Sequence, residues 1–448
     1  MGNQGIYVGL DVGTTSIKAI AAEVTSGQMH VIGVGSQRSD GLSRGVIVDI
    51  DKAVSAIKAA VDQAAKKANV QIDTVVAGVP ASRLQIEQVS GLIAVGDTSK
   101  EITDADVRNV AATALTRNLP PEREVLSLIP DEFIVDGFDG IKDPRGMIGV
   151  RLEMKALLLT VPKTVLHNLS RAIAKAGYEV AAFVANPLAV GTYILSDGEQ
   201  DFGTVVLDLG GGQSTASVIH DHKLKYTDED PEGGEYVTKD ISVVLNTSFA
   251  DAERLKRQYG NADSLAASED NTFPVTVVGK NTQAMISEKY LAEIIEARFT
   301  QIFTRLDDSL KKTNGLDLPG GIVITGGNAA LPGVTQLAQD IFGRDVKLFT
   351  PNEVGLRHPG FTQALALIHA AATMTDVEII VGSALQTPIK LQPSSAAKPA
   401  PETVTSQAPA QPVPSRKQAA AKHAAEPKKD EGEEKPSLIK RFLNTFFE

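Results

Sequence analysis

The chain has 448 residues, 42% hydrophobic and 22% charged, with a formal net charge of −11; that length exceeds one compact core and predicts two to four domains or subdomains. The acidic balance argues against nucleic acid as the main partner, and the absence of cysteine excludes disulfides and thiolate metal sites and is compatible with a reducing cytoplasm. The N-terminal MGNQGIYVGLDVG lacks the basic and apolar regions of a signal peptide, and no uninterrupted apolar run approaches the ~18 residues of a membrane-spanning helix, so a soluble protein with at most peripheral membrane contact is expected.

In chain order, period-2 and β-branched patterns predict strands at 6–10, 17–24, 31–34, 74–78, 155–161, 204–208, 215–220 and 321–325. Helical spacing predicts helices over 51–68, 164–176, 252–259, 287–310 and 335–342. In the first of these Val54, Ile57, Val61 and Ala65 share a face, and Asp49 or Asp51 can cap it. The alternation is an α/β pattern. A strand running into an Asp- and Gly-containing turn, with a second strand leaving it, occurs near residue 6 and again near 204, which suggests a duplicated fold with one copy per lobe. From about Pro388 the character changes: nine of the 22 prolines lie between Pro388 and Pro436 among Ala, Ser, Gln, Lys and Glu. Such a segment cannot bury enough apolar surface to order itself and reads as a disordered linker over 387–435.

Three short stretches carry chemistry. In Gly9-Leu-Asp11-Val-Gly13-Thr14-Thr15-Ser-Ile-Lys18 Gly13 permits a tight turn, amides and hydroxyls can donate to phosphate, Lys18 adds a positive charge, and Asp11 can hold Mg²⁺ through its waters. The alternative is a plain Gly-Thr hairpin with a surface lysine. The second stretch, Asp208-Leu-Gly210-Gly211-Gly212-Gln213-Ser214-Thr215, places three glycines where they weaken a hairpin, and backbone wrapped around a phosphate would offset that cost. The third, Ile-Thr-Gly326-Gly327-Asn328, is a strand, a Gly-Gly turn and then a helix, which lets a flat base or ribose approach the main chain.

These stretches together resemble the phosphate and adenosine loops of the actin, Hsp70 and sugar-kinase superfamily. Within it the chain resembles the FtsA family of bacterial cell-division proteins, through 129–136, 144–153, 231–241 and 252–260. The resemblance implies a two-lobed, actin-like ATPase fold of the α/β class with an inserted FtsA-type subdomain (1C, SHS2-like), a disordered linker and a C-terminal amphipathic helix. The implied boundaries are 5–83, 163–200 and 358–386 for subdomain 1A, 84–162 for 1C, 201–226 and 301–357 for 2A, and 227–300 for 2B. Inside the insertion the pattern predicts a strand at 84–95, a helix at 104–115 and strands near 125–135 and 147–159. The resemblance also implies ATP and Mg²⁺ as cofactors. Asp11, Gly13, Thr14, Thr15 and Lys18 match the first phosphate motif, and Asp208, Gly210, Gly211, Gly212 and Gln213 the second. Gly233 and Gly234 belong to a family-like stretch beside it. Glu253 and Lys256 match the ribose- and adenine-facing helix, and Gly326, Gly327 and Asn328 the adenosine loop. Mg²⁺ would be held through water by Asp11 and Asp208. A solvated surface pair remains the alternative for Glu253 and Lys256.

Two departures from the family pattern bear on catalysis. The second motif reads Gln213-Ser214-Thr215 rather than Thr-Thr-Asp. Asn186-Pro187 stands where hydrolysing relatives such as Hsp70 carry an acid. An amide orients water but does not accept its proton, so slow or negligible ATP hydrolysis is expected. The catalytic candidates are Asp11, Asp208, Gln213 and Asn186, with no assignment among them. The implied partners are FtsZ, through its C-terminal peptide on 2B with the helix near Arg298 as a candidate surface, further copies of the same chain, membrane lipids and later division proteins.

The last stretch is 436–448, Pro-Ser-Leu-Ile-Lys-Arg-Phe-Leu-Asn-Thr-Phe-Phe-Glu. At about 100° per residue, Leu438, Ile439, Phe442, Leu443, Phe446 and Phe447 fall on one half of a helix, with Lys440, Arg441, Asn444, Thr445 and Glu448 on the other. Aromatic rings among acyl chains, with Lys440 and Arg441 near anionic headgroups, fit a peripheral helix on the cytoplasmic face of the membrane. Packing on its own domain and docking in a partner groove are the alternatives. One such tail holds weakly and reversibly, whereas many on one polymer hold firmly. A small-molecule kinase and a pilus-assembly protein of the same superfamily are the competing functions.

Overall fold

The computed structural model describes residues 4–96, 98–116, 119–279, 283–385 and 389–391, all within one unit, Met1–Ala396. The expected amphipathic helix, and the linker from residue 392 onward, lie outside the described residues.

The first lobe is built on a five-stranded sheet in the order Glu179–Ala185, Thr74–Val79, Gly5–Val12, Ser16–Thr25, Gln28–Arg38. Gly5–Val12 pairs antiparallel with Ser16–Thr25 and parallel with Thr74–Val79. Its interior is buried without alternation because helices cover both faces. On one face lies helix Ile50–Ala68, capped by Asp49, whose carboxylate accepts from the Lys52 amide at 3.1 Å. It sits so close to the sheet that a Cβ on Gly35 would lie 1.8 Å from the Ala60 carbonyl. On the other face Thr362–Thr373 lies against Gly9, where a Cβ would lie 2.2 Å from the Ala364 carbonyl.

The second lobe repeats the plan. Its sheet runs Lys223–Asp230, Ser214–His220, Thr204–Leu209, Ile322–Thr325, Val346–Leu348. Again the leading hairpin strand pairs antiparallel with its successor and parallel with a later strand. Helices Gly234–Val244, Phe249–Tyr259 and Glu288–Lys311, with the ribbon Thr272–Thr276/Gln283–Ser287, complete this side of the molecule. The long helix buries Leu291, Ile295, Phe299, Ile302, Phe303, Leu306 and Leu310 at three- and four-residue spacing, a stripe that fixes which face meets the sheet.

The insertion is a four-stranded sheet, Phe138–Ile141, Arg123–Val135, Arg151–Pro162, Gln85–Ala94. Helix Asp104–Ala114 lies on it, started by a Thr103/Asp106 capping box. Phe133, Leu152, Met154 and Leu158 are its fully buried centre. Helix Asp376–Gly382 adds Val377 and Val381 to that core.

Within the described residues the expected strands and helices are present, and the differences have physical causes. The strand expected at 147–159 is broken: Ile148–Gly149 pairs with Lys100–Glu101, and the long strand begins at Arg151. Thr362–Thr373 went unread because it is apolar on nearly every side, buried between sheet and neighbours, so it shows no amphipathic period. Among the described residues no single helix is long and apolar enough to cross a membrane. Residues 389–391, expected in the linker, pack on the first lobe: the Lys390 amide donates to the Ala181 carbonyl at 2.8 Å.

Candidate functional site

The two hairpins meet tip to tip. Register places Asp11 opposite Lys18, and the lysine binds its Oδ2 at 3.3 Å. The other carboxylate oxygen accepts from Gln363 at 3.0 Å. Asp11 and Thr14 are both buried, at 6% exposure. On the opposing hairpin Asp208 faces the same place: burial first, then the negative charge of Asp11, push its carboxyl up to about 6, with Lys18 offsetting part of the rise. A Cβ on Gly211 would lie 2.4 Å from Thr15 Cγ2, and one on Gly212 would lie 2.3 Å from Thr14 Oγ1. The glycines are thus required by close approach, and the second loop's bare main chain stands against the first loop's hydroxyls.

Behind the second loop the start of helix Gly234–Val244 braces it. The Gly234 amide donates to the Gly210 carbonyl at 3.1 Å and the Glu235 amide to the Gly211 carbonyl at 2.8 Å, so otherwise unpaired first-turn donors are satisfied by the loop. Gly233 fits tightly, since a Cβ there would lie 2.5 Å from the Gly210 carbonyl. Lys256 holds this brace in turn. Its Nζ, on a side chain 6% exposed, donates to the Gly234 carbonyl at 2.9 Å and to Thr238 at 2.8 Å, and pairs with Glu253 at 2.7 Å. Burial raises the Glu253 carboxyl, but Lys256, Thr238 and Arg257 outweigh it and hold the group at about 2. Burial pushes the Lys256 ammonium down. The solvated-pair alternative therefore fails: the pair is an internal strut.

The third stretch packs beneath Asp208. Gly326 has φ +95° and a Cβ there would lie 2.4 Å from Asp208 Oδ1, whereas a Cβ on Gly327 would meet nothing within 4 Å. Asn328 is buried, and its Nδ2 donates to the Gly210 carbonyl at 2.8 Å. Asn186 opens helix Asn186–Ile194. Its Oδ1 and the Oε1 of Gln213 are buried acceptors without a hydrogen-bond partner among the described residues, which suits groups that await water or ligand. Arg298, by contrast, is tied by Asp240 at 2.5 Å and Glu232 at 2.6 Å, so it is an internal strut rather than a free surface cation.

Sequence reasoning missed two contributors. Gln363 comes from a helix distant in the chain. The short hairpin Leu42–Ser43/Val46–Ile47 reaches the site through the Gly45 amide, which donates to Thr14 Oγ1 at 2.9 Å. Chemically the assembled site offers main-chain amides, two hydroxyls and one ammonium to an anion. It also offers two carboxylates, of which Asp11 is paired with that ammonium and Asp208 is not, to a hydrated divalent cation.

The family described as "Cell division protein FtsA" matches residues 205–366, and the one described as "SHS2 domain inserted in FTSA" matches 81–160. The cell division protein FtsA of Enterococcus hirae is 54% identical over 377 residues, covering 84% of this chain and 85% of the relative. Among solved structures, a "PilM-PilN type IV pilus biogenesis complex" chain aligns at TM-score 0.58 and 14% identity, covering 82% of this chain and 99% of that one. MreB5 of Spiroplasma citri bound to ADP aligns at 0.52 and 13%, covering 81% and 95%. At such identities the structural likeness speaks to the fold alone, while the sequence match carries the family. A duplicated two-lobe fold with an SHS2 insertion and this identity over most of both lengths lead to one conclusion: the chain belongs to the FtsA family of bacterial cell-division proteins.

Proposed function

We propose that this chain binds ATP with Mg²⁺ between its lobes, polymerises on the cytoplasmic face of the cell membrane at the division site, and tethers FtsZ filaments there, where later division proteins join. The observation that carries the nucleotide reading is the facing pair of hairpins with Asp11 and Asp208 beside their turns and Lys18 paired to Asp11 between them. Asp208's raised carboxyl marks a place where a further positive charge is favourable, and the bare glycines leave main-chain amides as the natural phosphate donors. In this reading Lys18, Thr14, Thr15 and the 210–212 backbone bind phosphate oxygens. Asp11 and Asp208 orient waters of the hydrated cation, which neutralises phosphate charge when bound. Glu253, Lys256 and the 326–328 turn shape the adenosine side. The buried, unpartnered amide oxygens of Asn186 and Gln213 can accept a hydrogen bond from a water but not its proton, so turnover is slow and nucleotide acts mainly as an assembly ligand.

The remaining assignments follow family membership and the sequence. Subdomain 1A takes 5–83, 163–200 and 358–386, 1C takes 84–162, 2A takes 201–226 and 301–357, and 2B takes 227–300. FtsZ's C-terminal peptide binds 2B. The 436–448 helix binds lipid, each side chain contributing at most ~1.5–3 kcal/mol and each basic residue ~1 kcal/mol, less the cost of ordering a short helix. Residence therefore depends on polymerisation. Calorimetry with ATP and Mg²⁺ tests the cleft. Liposome co-sedimentation with and without 436–448, run with ATP and FtsZ, tests the tether. The expected result is ATP-dependent recovery of FtsZ with vesicles, lost on truncation. No heat of ATP binding, or undiminished recovery by the truncated chain, rejects the corresponding half.

A further inference from the structure

The hairpin Leu42–Ser43/Val46–Ile47 closes on two residues, Arg44 and Gly45, with φ +50° and +72°. Two-residue hairpin turns of the primed types need such angles and usually take Asn, Asp or Gly at the first position. An arginine there holds an L residue in the left-handed region, a cost that persists only where the surroundings over-determine it. The surroundings are specific. The Gly45 amide donates to Thr14 Oγ1 at 2.9 Å, which fills that oxygen as acceptor and leaves its hydroxyl proton to donate elsewhere. Gly45 abuts Gln213 so closely that a Cβ would lie 2.3 Å from Oε1. The Arg44 guanidinium donates to the Tyr236 hydroxyl at 2.7 Å and lies 6.0 Å from the ring centroid. Tyr236 stands in the first turn of helix Gly234–Val244, the helix whose opening amides brace the second loop. One six-residue ribbon of the first lobe thus touches both phosphate loops and ties the second lobe's brace.

We propose that the Arg44–Gly45 turn is a latch across the cleft: Gly45 positions the Thr14 hydroxyl, and Arg44, through Tyr236, holds the lobes together over bound nucleoside triphosphate. Arg44 is a positioning residue, acting on the ligand through Tyr236 and the helix behind it. The idea rests on the nucleotide reading above. An exposed hydrogen bond of this kind is worth a modest factor, so its loss speeds release about three- to tenfold without blocking entry.

The test is stopped-flow displacement of fluorescent ATP with Mg²⁺ from the full chain, with Arg44→Gly, Tyr236→Phe, the double variant and Arg44→Lys. Arg44→Gly suits the turn and removes the whole side chain with its guanidinium; Tyr236→Phe keeps the ring and removes only the hydroxyl. The expected results are faster release in both single variants, no further increase in the double, partial recovery with lysine, an unchanged association rate, and no fall in ligand-free melting temperature in Arg44→Gly, whose turn strain is relieved. Release within twofold of wild type in Arg44→Gly, or additive effects in the double variant, overturns the latch alone. A wild-type chain that takes up no ATP overturns the nucleotide reading and the latch with it.

Discussion

The two facing hairpin loops have the same topology and opposite construction. The first carries its chemistry on side chains: Thr14, Thr15, Lys18, and an Asp11 whose two oxygens are already engaged by Lys18 and Gln363. The second carries almost none. It offers three glycines and an Asp208 that no donor among the described residues reaches, and it is shaped from behind by Gly234, Asn328 and Lys256. The first loop is tied through its side chains, by Lys18, Gln363 and Gly45, and the second through its backbone, by the helices behind it. A duplicated motif has thus divided the work, with charge and hydroxyls on one jaw and a close-fitting main chain on the other.

The sharpest way to break this contrast is to remove the second loop's support. Glu253→Gln leaves the buried Lys256 ammonium unpaired and is expected to cost about 3 kcal/mol, the lower end for a broken buried pair, read by urea denaturation. The sign with pH follows. The Glu253 carboxyl is depressed from 4.5 to about 2, so its contribution is fully present above about pH 4.5 and is lost as pH falls through 2. The variant should lack that acid-side decline.

Asp208→Asn is next. It should weaken Mg²⁺-dependent ATP affinity about 10- to 100-fold, as for groups that act on a metal through its waters. In the ligand-free protein the same change should help. With its carboxyl raised from 3.8 to about 6, Asp208 lowers stability as pH climbs from 4 to 6 and adds no slope above. The wild-type melting temperature should therefore respond to pH across that interval, and the variant should show less of it. An equal response in both would mean that burial and Asp11 do not raise the Asp208 carboxyl.

The smallest effects separate neighbouring glycines. Gly212→Ala pushes against Thr14 and is expected to cost about 1–3 kcal/mol as overpacking, with weaker ATP binding by calorimetry. Gly327→Ala meets open space and should stay within about 0.5 kcal/mol of wild type. If the two behaved alike, the close-fitting jaw would be the wrong description.

What the sequence disclosed and what it hid divide along the same line. Asp11 and the 210–212 glycines were legible because a strand-end acid and a costly glycine run are local signals. The strut role of Lys256 was not, since burial depends on what packs above it. Gln363 lies 352 residues from Asp11, beyond any local pattern, and its helix shows no polar face to betray it. The Arg44–Gly45 turn had a weak local sign, two residues between short apolar pairs, but four paired residues are too few to read as strands. The expected family fold and the insertion were visible because several motifs recur in order. Their supports became visible only in three dimensions.

The end of the described chain has a mechanical corollary. Helix Asp376–Gly382 sinks Val377 and Val381 into the insertion, and Ile389 then folds back over Gly382, where a Cβ would lie 2.3 Å from its Cδ1, before Lys390 clips onto the edge strand at Ala181. Tension applied beyond Leu391 is therefore met first by the packing of Ile389 and Leu391 and the Lys390 backbone bond, and then by a wedged helix, all belonging to the half that carries Asp11. The bonds that join this half to the one carrying Asp208, Ser82 to Glu229 and Thr325 to Thr362 among them, lie off that path, so such a pull is taken up within one half.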